Sequence, residues 1–199
     1  MEFAIKRCRV GDERRLSLLG KATFLETYAG DIRADDLLAF VEAEHSEERY
    51  RFWLERDFAK IWIAETIPGR SAIGYAVALV SSDGGLGVEI KRLYVLHRFQ
   101  QNGLGHLLMN EILATARQDG IAELFLRVQK TNQSAIDFYS RNGFLVVSDE
   151  SFRVGAQDHA ALVMRLALGA PTEGTPDMSA AVTVVSSGNS ANVVKIDLT

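Results

Sequence analysis

Leu93-Tyr94-Val95-Leu96-His97-Arg98-Phe99-Gln100-Gln101-Asn102-Gly103-Leu104-Gly105-His106 is the stretch on which the fold of this 199-residue chain turns. Val88 to Val95 leads into it, and its β-branched residues read as a strand. Beyond it, Leu104, Leu107, Leu108, Ile112 and Thr115 recur at helical spacing, with Met109, Leu113 and Ala116 widening the stripe. The helix runs from Gly103 to about Arg117, and Asp119-Gly120 closes it, because a C-terminal glycine accepts the left-handed conformation. A strand therefore enters the stretch and a helix leaves it, with Gly103 and Gly105 at the junction. A helix start presents unpaired N–H groups and partial positive charge, which suits phosphate. Glycines allow a ligand close to the backbone. Taken alone, the segment suggests a site for a diphosphate-containing cofactor, with a structural loop as the alternative.

Two phosphate motifs fail here. A P-loop needs Gly-Lys-Ser/Thr, and Gly105-His106-Leu107 does not supply it. The dinucleotide fingerprint needs a small third residue where Leu108 stands. What remains is Gln100-x-x-Gly103-x-Gly105.

Outward from this point, strands alternate with amphipathic helices. Towards the N-terminus, Phe3 to Cys8 reads as a strand, and Asp12 to Tyr28, Ala34 to Ala43 and Ser46 to Asp57 read as helices. Ile61 to Glu65 and Ala72 to Ser81 form a hairpin around Pro68-Gly69, and Asp83-Gly84-Gly85 makes the next turn. Towards the C-terminus come a strand over Leu124 to Val128, a helix over Asn132 to Arg141, and strands over Phe144 to Val147 and Ala161 to Leu166. From Gly169 the composition turns to Pro, Gly, Ser, Thr and Asn. Residues 1–168 are thus expected to form one domain and 169–199 a flexible tail, in which Val182 to Val185 and Val193 to Ile196 could pair as a hairpin.

Composition narrows the partners. Hydrophobic residues at 47% and charged residues at 24% are those of a globular protein with a real core. A net charge of −4 argues against nucleic acid, which needs a clustered basic surface. The single cysteine, Cys8, excludes an internal disulfide framework and a cysteine zinc site, and the four histidines show no metal-ligand spacing. Charges interrupt the opening Met1-Glu2-Phe3-Ala4-Ile5-Lys6-Arg7, so no secretion signal is read there, and no run reaches the roughly 20 apolar residues of a membrane span. A soluble, cytoplasmic protein with no membrane, nucleic-acid or metal partner is the expectation.

A second segment, Asn132-Gln133-Ser134-Ala135-Ile136-Asp137-Phe138-Tyr139-Ser140-Arg141-Asn142-Gly143-Phe144, is similar to the motif Asn-x-x-Ala-x-x-Phe/Leu-Tyr-x-x-x-Gly-Phe of the GNAT superfamily of N-acetyltransferases. The Gln100-x-x-Gly103-x-Gly105 spacing resembles the coenzyme A loop of the same superfamily, and the two stand in the expected order with a strand between. The resemblance spans roughly residues 3 to 166. Glu89 to Leu96, with Phe24-x-Glu26-Thr27-Tyr28 upstream, looks most like the spermine/spermidine-type branch. Gln101 stands where glycine is frequent, and Gln129-Lys130 where Trp-Glu is common.

The resemblance implies an α+β fold. Its central sheet is mixed, mostly antiparallel and splayed between two strands, with helices on both faces. It implies acetyl-CoA as cosubstrate, no metal, a small-molecule amine as acceptor, and room for a homodimer. In the splay between Val88–Val95 and Leu124–Val128, pantetheine would lie along Leu93, Tyr94 and Val95, pairing with the main chain of Leu93 and Val95. An N–H near Val95 would hold the developing oxyanion. The loop Gln100, Gln101, Asn102, Gly103, Leu104, Gly105 and His106 would take the pyrophosphate through its amides. Arg98 would reach a ribose phosphate or remain an exposed surface residue. Asn132, with Ser134 beside it, would bond the pantetheine arm, cap its own helix, or do both. Tyr139 is the expected general acid for the departing thiolate, the alternative being a packed helical face. Glu89 is the expected base for the amine, with His97 next in line and an exposed strand glutamate as the alternative. Between Asp31 and Arg49, seven acidic residues oppose two basic ones, which would favour a cationic amine such as a polyamine if they border the acceptor. A peptide amine, or an acyl-CoA-binding module without turnover, are the competing readings.

Overall fold

A computed structural model describes residues 1–80, 87–155, 157–169 and 192–195. Strand β1 (Glu2–Arg7) precedes three helices, α1 (Glu13–Tyr28), α2 (Ala34–Glu44) and α3 (Glu47–Leu54). Three antiparallel strands follow: β2 (Ala59–Ile67), β3 (Ala72–Val80) and β4 (Gly87–Val95). After a 3₁₀ turn at His97–Phe99 come α4 (Leu104–Gln118), β5 (Glu123–Gln129), α5 (Gln133–Arg141), β6 (Leu145–Val154), β7 (Gln157–Ala167) and β8 (Asn192–Lys195). The strands form one sheet in the order β6-β7-β5-β4-β3-β2-β1-β8, antiparallel throughout except between β4 and β5. The α+β fold with a mixed, mostly antiparallel sheet is the architecture expected above.

Helix α4 forms because its apolar residues share one face: Leu104, Leu108, Met109, Ile112 and Ala116 are all buried. They pack against Trp62, Ala76, Leu124 and Leu126 on one side of the sheet, with Tyr139 and Phe144 completing that core. Each large apolar side chain so buried contributes about 1.5–3 kcal/mol. On the opposite side, Leu16 and Leu19 of α1 and Tyr50 and Trp53 of α3 meet Ile61, Ile63, Tyr75 and Val77. A third cluster joins Phe24, Ile32, Leu37 and Val41 to Val154 at the tip of the β6–β7 hairpin. Helices therefore cover both faces.

The feature that makes a site is the β4–β5 contact. These parallel strands pair only over Gly87–Glu89 and Glu123–Phe125, and beyond those rungs they part. Against β3, Val77 pairs with Arg92 and Ala78 with Ile90, so Lys91 is an extra residue on β4. Such a bulge re-aims the side chains after it.

Several boundaries differ from expectation. Helix α3 stops at Leu54, short of Asp57, where the chain turns into β2. β6 and β7 are longer than the apolar runs Phe144–Val147 and Ala161–Leu166, because ladder pairing with β7 extends β6 through the polar Ser148–Arg153. Asn192–Lys195 pairs antiparallel with β1, Glu2 opposite Lys195. The turn Asp83-Gly84-Gly85 and the stretch Val182–Val185 lie outside the described residues. Among the described residues, no helix is long and apolar enough to cross a membrane.

Candidate active site

Strand alternation decides which groups of β4 face the opening. The Leu96 N–H donates to the Ile73 carbonyl across 2.9 Å, and Tyr94 is paired with Tyr75 one pleat before it. Successive residues of a strand direct their amide and carbonyl to opposite sides. Leu93 and Val95 therefore turn their peptide groups away from β3, into the gap where β5 has departed. The main chain of Tyr94 points back to β3. Its ring lies on the α1–α3 side, stacked on Tyr75 with centroids 5.9 Å apart.

Beyond the strand, the loop is built to present amides. The Gln100 side chain donates to the Val95 carbonyl over 3.1 Å, and the Asn102 side chain donates to the carbonyls of Phe99 and Gln100 at 3.2 and 3.1 Å. Gln101 has φ +65° and Gly103 φ +75°. The first helical bond of α4 is Leu107 N–H to the Gly103 carbonyl at 3.1 Å, and no side chain caps the helix. The amides of residues 101–106 consequently have no acceptor among the described residues. Six N–H groups at a helix start, held by carbonyls turned inward, make a concave row of donors of the kind that suits an anion. Those six amides and the open edge of β4 fit coenzyme A.

The expected residues distribute as follows. Gln100 and Asn102 brace the loop with their side chains. Gly103 supplies the left-handed turn, while Gly105 is small for a different reason: a Cβ there would meet Phe138 at 3.3 Å. Leu104 is buried in the core, and the exposed His106 has its ring 5.0 Å from that of Phe138. Arg98 is exposed and lies over Phe99 at 5.9 Å. Asn132 caps α5, its oxygen accepting from the Ala135 N–H at 3.1 Å and from the Ser134 hydroxyl at 3.0 Å. The His97 N–H donates to Glu26 at 3.0 Å, which ties α1 to the start of the loop.

Tyr139 is 9% exposed, its ring edge-on to Phe138 and Phe144. Burial, and behind it the nearby Tyr94 phenol, push its pKa above the ordinary tyrosine value. It stays protonated throughout the neutral range, as a proton donor must. Glu89, on the last paired rung of β4, accepts from Arg127 Nη1 at 2.9 Å and lies 3.4 Å from Lys91 Nζ. Arg127 Nε in turn donates to Glu150 at 2.7 Å.

Three residues take positions that sequence reasoning did not assign. Tyr28 lies close to Tyr94, and burial raises its pKa. Phe138 fixes the approach of α5 to α4. Arg92, 6% exposed, donates from Nη2 to the Glu44 carbonyl at 2.8 Å and lies over Trp53 at 4.7 Å, docking the α2–α3 junction on β4. Only the bulge, which leaves no mark in composition, puts Arg92 on that face.

Residues 28–144 match the model of the Acetyltransferase (GNAT) family, more than half of the chain. The chain is 29% identical over 153 residues to an uncharacterized N-acetyltransferase of Mycobacterium tuberculosis, covering 77% of this chain and 96% of that protein. Among solved structures, the PaiA N-acetyltransferase of Thermoplasma acidophilum in complex with coenzyme A superposes with TM-score 0.72 at 21% identity, over 84% of this chain and 100% of that one. The ribosomal-protein-S18-alanine N-acetyltransferase of Escherichia coli superposes with TM-score 0.64 at 15% identity, over 87% of this chain and 99% of that one.

Proposed function

Because the chain belongs to the GNAT family and is an acetyl-CoA-dependent N-acetyltransferase, we propose that it acetylates a primary amine of a small molecule by direct attack in a ternary complex. The observation that carries this reading is the parting of β4 from β5 beside six unpaired amides. Acetyl-CoA brings an acetyl group activated as a thioester. The amides of residues 101–106 hold its pyrophosphate, and the peptide groups of Leu93 and Val95 bind its pantetheine arm as an added half-strand. The Val95 N–H donates to the acetyl oxygen as negative charge develops there. Tyr139 gives its proton to the sulfur as the C–S bond breaks and the C–N bond forms. Residues 1–168 form the catalytic unit.

The amine arrives as an ammonium. With a pKa near ~10.4, about one molecule in ~2,500 is neutral at pH 7, equivalent to roughly 4.6 kcal/mol. Glu89 takes the ammonium proton, directly or through water. His97 is the second candidate base; it is exposed at the far end of β4.

The acceptor enters from the face covered by α1 and α2, opposite α4. Asp31, Asp35, Glu42, Glu47 and Glu48 are exposed around that region, whereas Glu44 is engaged by Arg49 at 3.0 Å and Arg92 at 3.4 Å. The surplus of carboxylates supports a cationic acceptor, a class that includes polyamines and amino acids with a second amine. Free thiol release from acetyl-CoA, followed against polyamines, amino acids, aminoglycosides and peptides, tests the reading. Release with a small amine is the expected result. Tight acetyl-CoA binding with no release for any acceptor would mark a binding module instead.

A further inference from the structure

We infer that the acceptor carries a carboxylate beside its amine, and that Arg127, bridging Glu89 of β4 and Glu150 of β6 at the edge of the β4–β5 opening, is the residue that selects it. The inference rests on the assignment of Glu89 as the base. Glu89 pairs with Phe125 on the last rung before the strands part, and Arg127 stands one pleat further along β5, on the same side of the sheet. That side lies under α1 and α3, where the β3 partners Tyr75 and Val77 of neighbouring β4 residues pack, and is the side the proposed function gives to the acceptor.

Two of the three guanidinium nitrogens are committed. Nε donates to Glu150 at 2.7 Å and Nη1 to Glu89 at 2.9 Å, while Nη2 has no acceptor among the described residues. The side chain is 41% exposed, so a ligand can reach it. Anchored from two strands, the planar fork is held in one orientation, and a carboxylate that accepts from Nη2 orders nothing further.

The local charges alternate. Arg127 and Lys91 flank Glu89, and Arg127 separates Glu89 from Glu150. An acceptor that carries a second ammonium and no carboxylate meets the cations beside the base with nothing to offset their repulsion. A carboxylate there meets Nη2. The outer acidic residues draw cationic molecules in, and Arg127 sorts among them.

Matched pairs isolate the carboxylate: lysine against cadaverine, and ornithine against putrescine, assayed by thiol release at saturating acetyl-CoA. Lysine and ornithine are expected to exceed their decarboxylated partners about 10- to 100-fold in kcat/KM, the range for a hydrogen bond to a charged group. Arg127→Gln should erase that ratio, Arg127→Lys should keep part of it, and the acetyl-CoA Kd from calorimetry should stay the same in both. Equal or faster turnover of the diamines overturns the inference in favour of a polyamine acceptor. So does a ratio that survives in Arg127→Gln, or no turnover of any of the four while acetyl-CoA still binds. Absence of acetyl-CoA binding to the wild-type chain would instead remove the catalytic reading itself.

Discussion

A Cβ placed on Gly105 would lie 3.3 Å from Cε2 of Phe138. The first turn of α4 and the middle of α5 therefore meet where little more than a hydrogen fits, and the row of free amides is buttressed by an aromatic ring from behind. Gly105→Ala forces that ring to shift by a few tenths of an ångström. Overpacking costs about 1–3 kcal/mol, against up to about 1 kcal/mol that alanine gains over glycine in a helix, so a net destabilisation of about 1 kcal/mol is expected. Phe138→Leu in the same chain should relieve the clash, so the double variant should be more stable than the sum of the two single changes implies. Urea unfolding of the four-member cycle measures the coupling; strict additivity would mean that the contact carries no energy.

Tyr139→Phe removes one hydroxyl from a ring that is otherwise packed between Phe138 and Phe144. The fold and the acetyl-CoA Kd should persist. A thiolate already leaves fairly well, so kcat should fall by at most about 10²- to 10⁴-fold. Calorimetry and thiol-release kinetics on the same preparation separate the two effects, and an unaltered kcat would end the general-acid assignment.

The Gln100 amide holds the Val95 carbonyl at 3.1 Å. Gln100→Glu keeps the shape, loses the donor and adds a negative charge near the proposed pyrophosphate site. Acetyl-CoA should bind roughly 10-fold or more weakly, from a lost hydrogen bond plus repulsion. Gln100→Arg restores a donor of adequate reach and should recover most of the affinity. If Gln100→Glu binds acetyl-CoA as tightly as the wild type, the brace is dispensable.

Local chemistry is what the sequence makes legible. Gly103 at the start of α4, the period of Leu104, Leu108 and Ile112, and the asparagine cap at Asn132 are each short-range signals, and each appears in the structure in the expected place. What sequence spacing does not carry is the third dimension. Gly105 reads as access for a ligand, but its neighbour is a side chain 33 residues away. Tyr94 reads as one of three consecutive cofactor residues, and pleating turns it to the other face. Arg92 and Arg127 look like ordinary strand cations until a bulge and a parting of strands set them against Glu44 and Glu89.

His45 gives the acid limb of stability a specific source. It is 1% exposed, with Nδ1 3.0 Å from the Tyr50 hydroxyl. Burial, with smaller contributions from the Arg92 and Lys21 cations, lowers its pKa from 6.5 to about 3. In the unfolded chain it would take up a proton near 6.5, so below that pH the unfolded state binds more protons than the folded one. Stability from this group is complete above pH 6.5 and is lost progressively as pH falls towards 3. Between pH 6 and 5, above the range where most carboxylates titrate, the loss should approach roughly 1 kcal/mol per pH unit. His45→Gln should be less stable at pH 7, because the Tyr50 contact is disturbed, yet show a flatter slope across that interval. Urea unfolding at half-unit steps of pH measures both curves. Parallel slopes would show that the imidazole is already protonated in the folded protein, and the buried cluster of His45, Tyr50 and Arg92 would then need a different charge assignment.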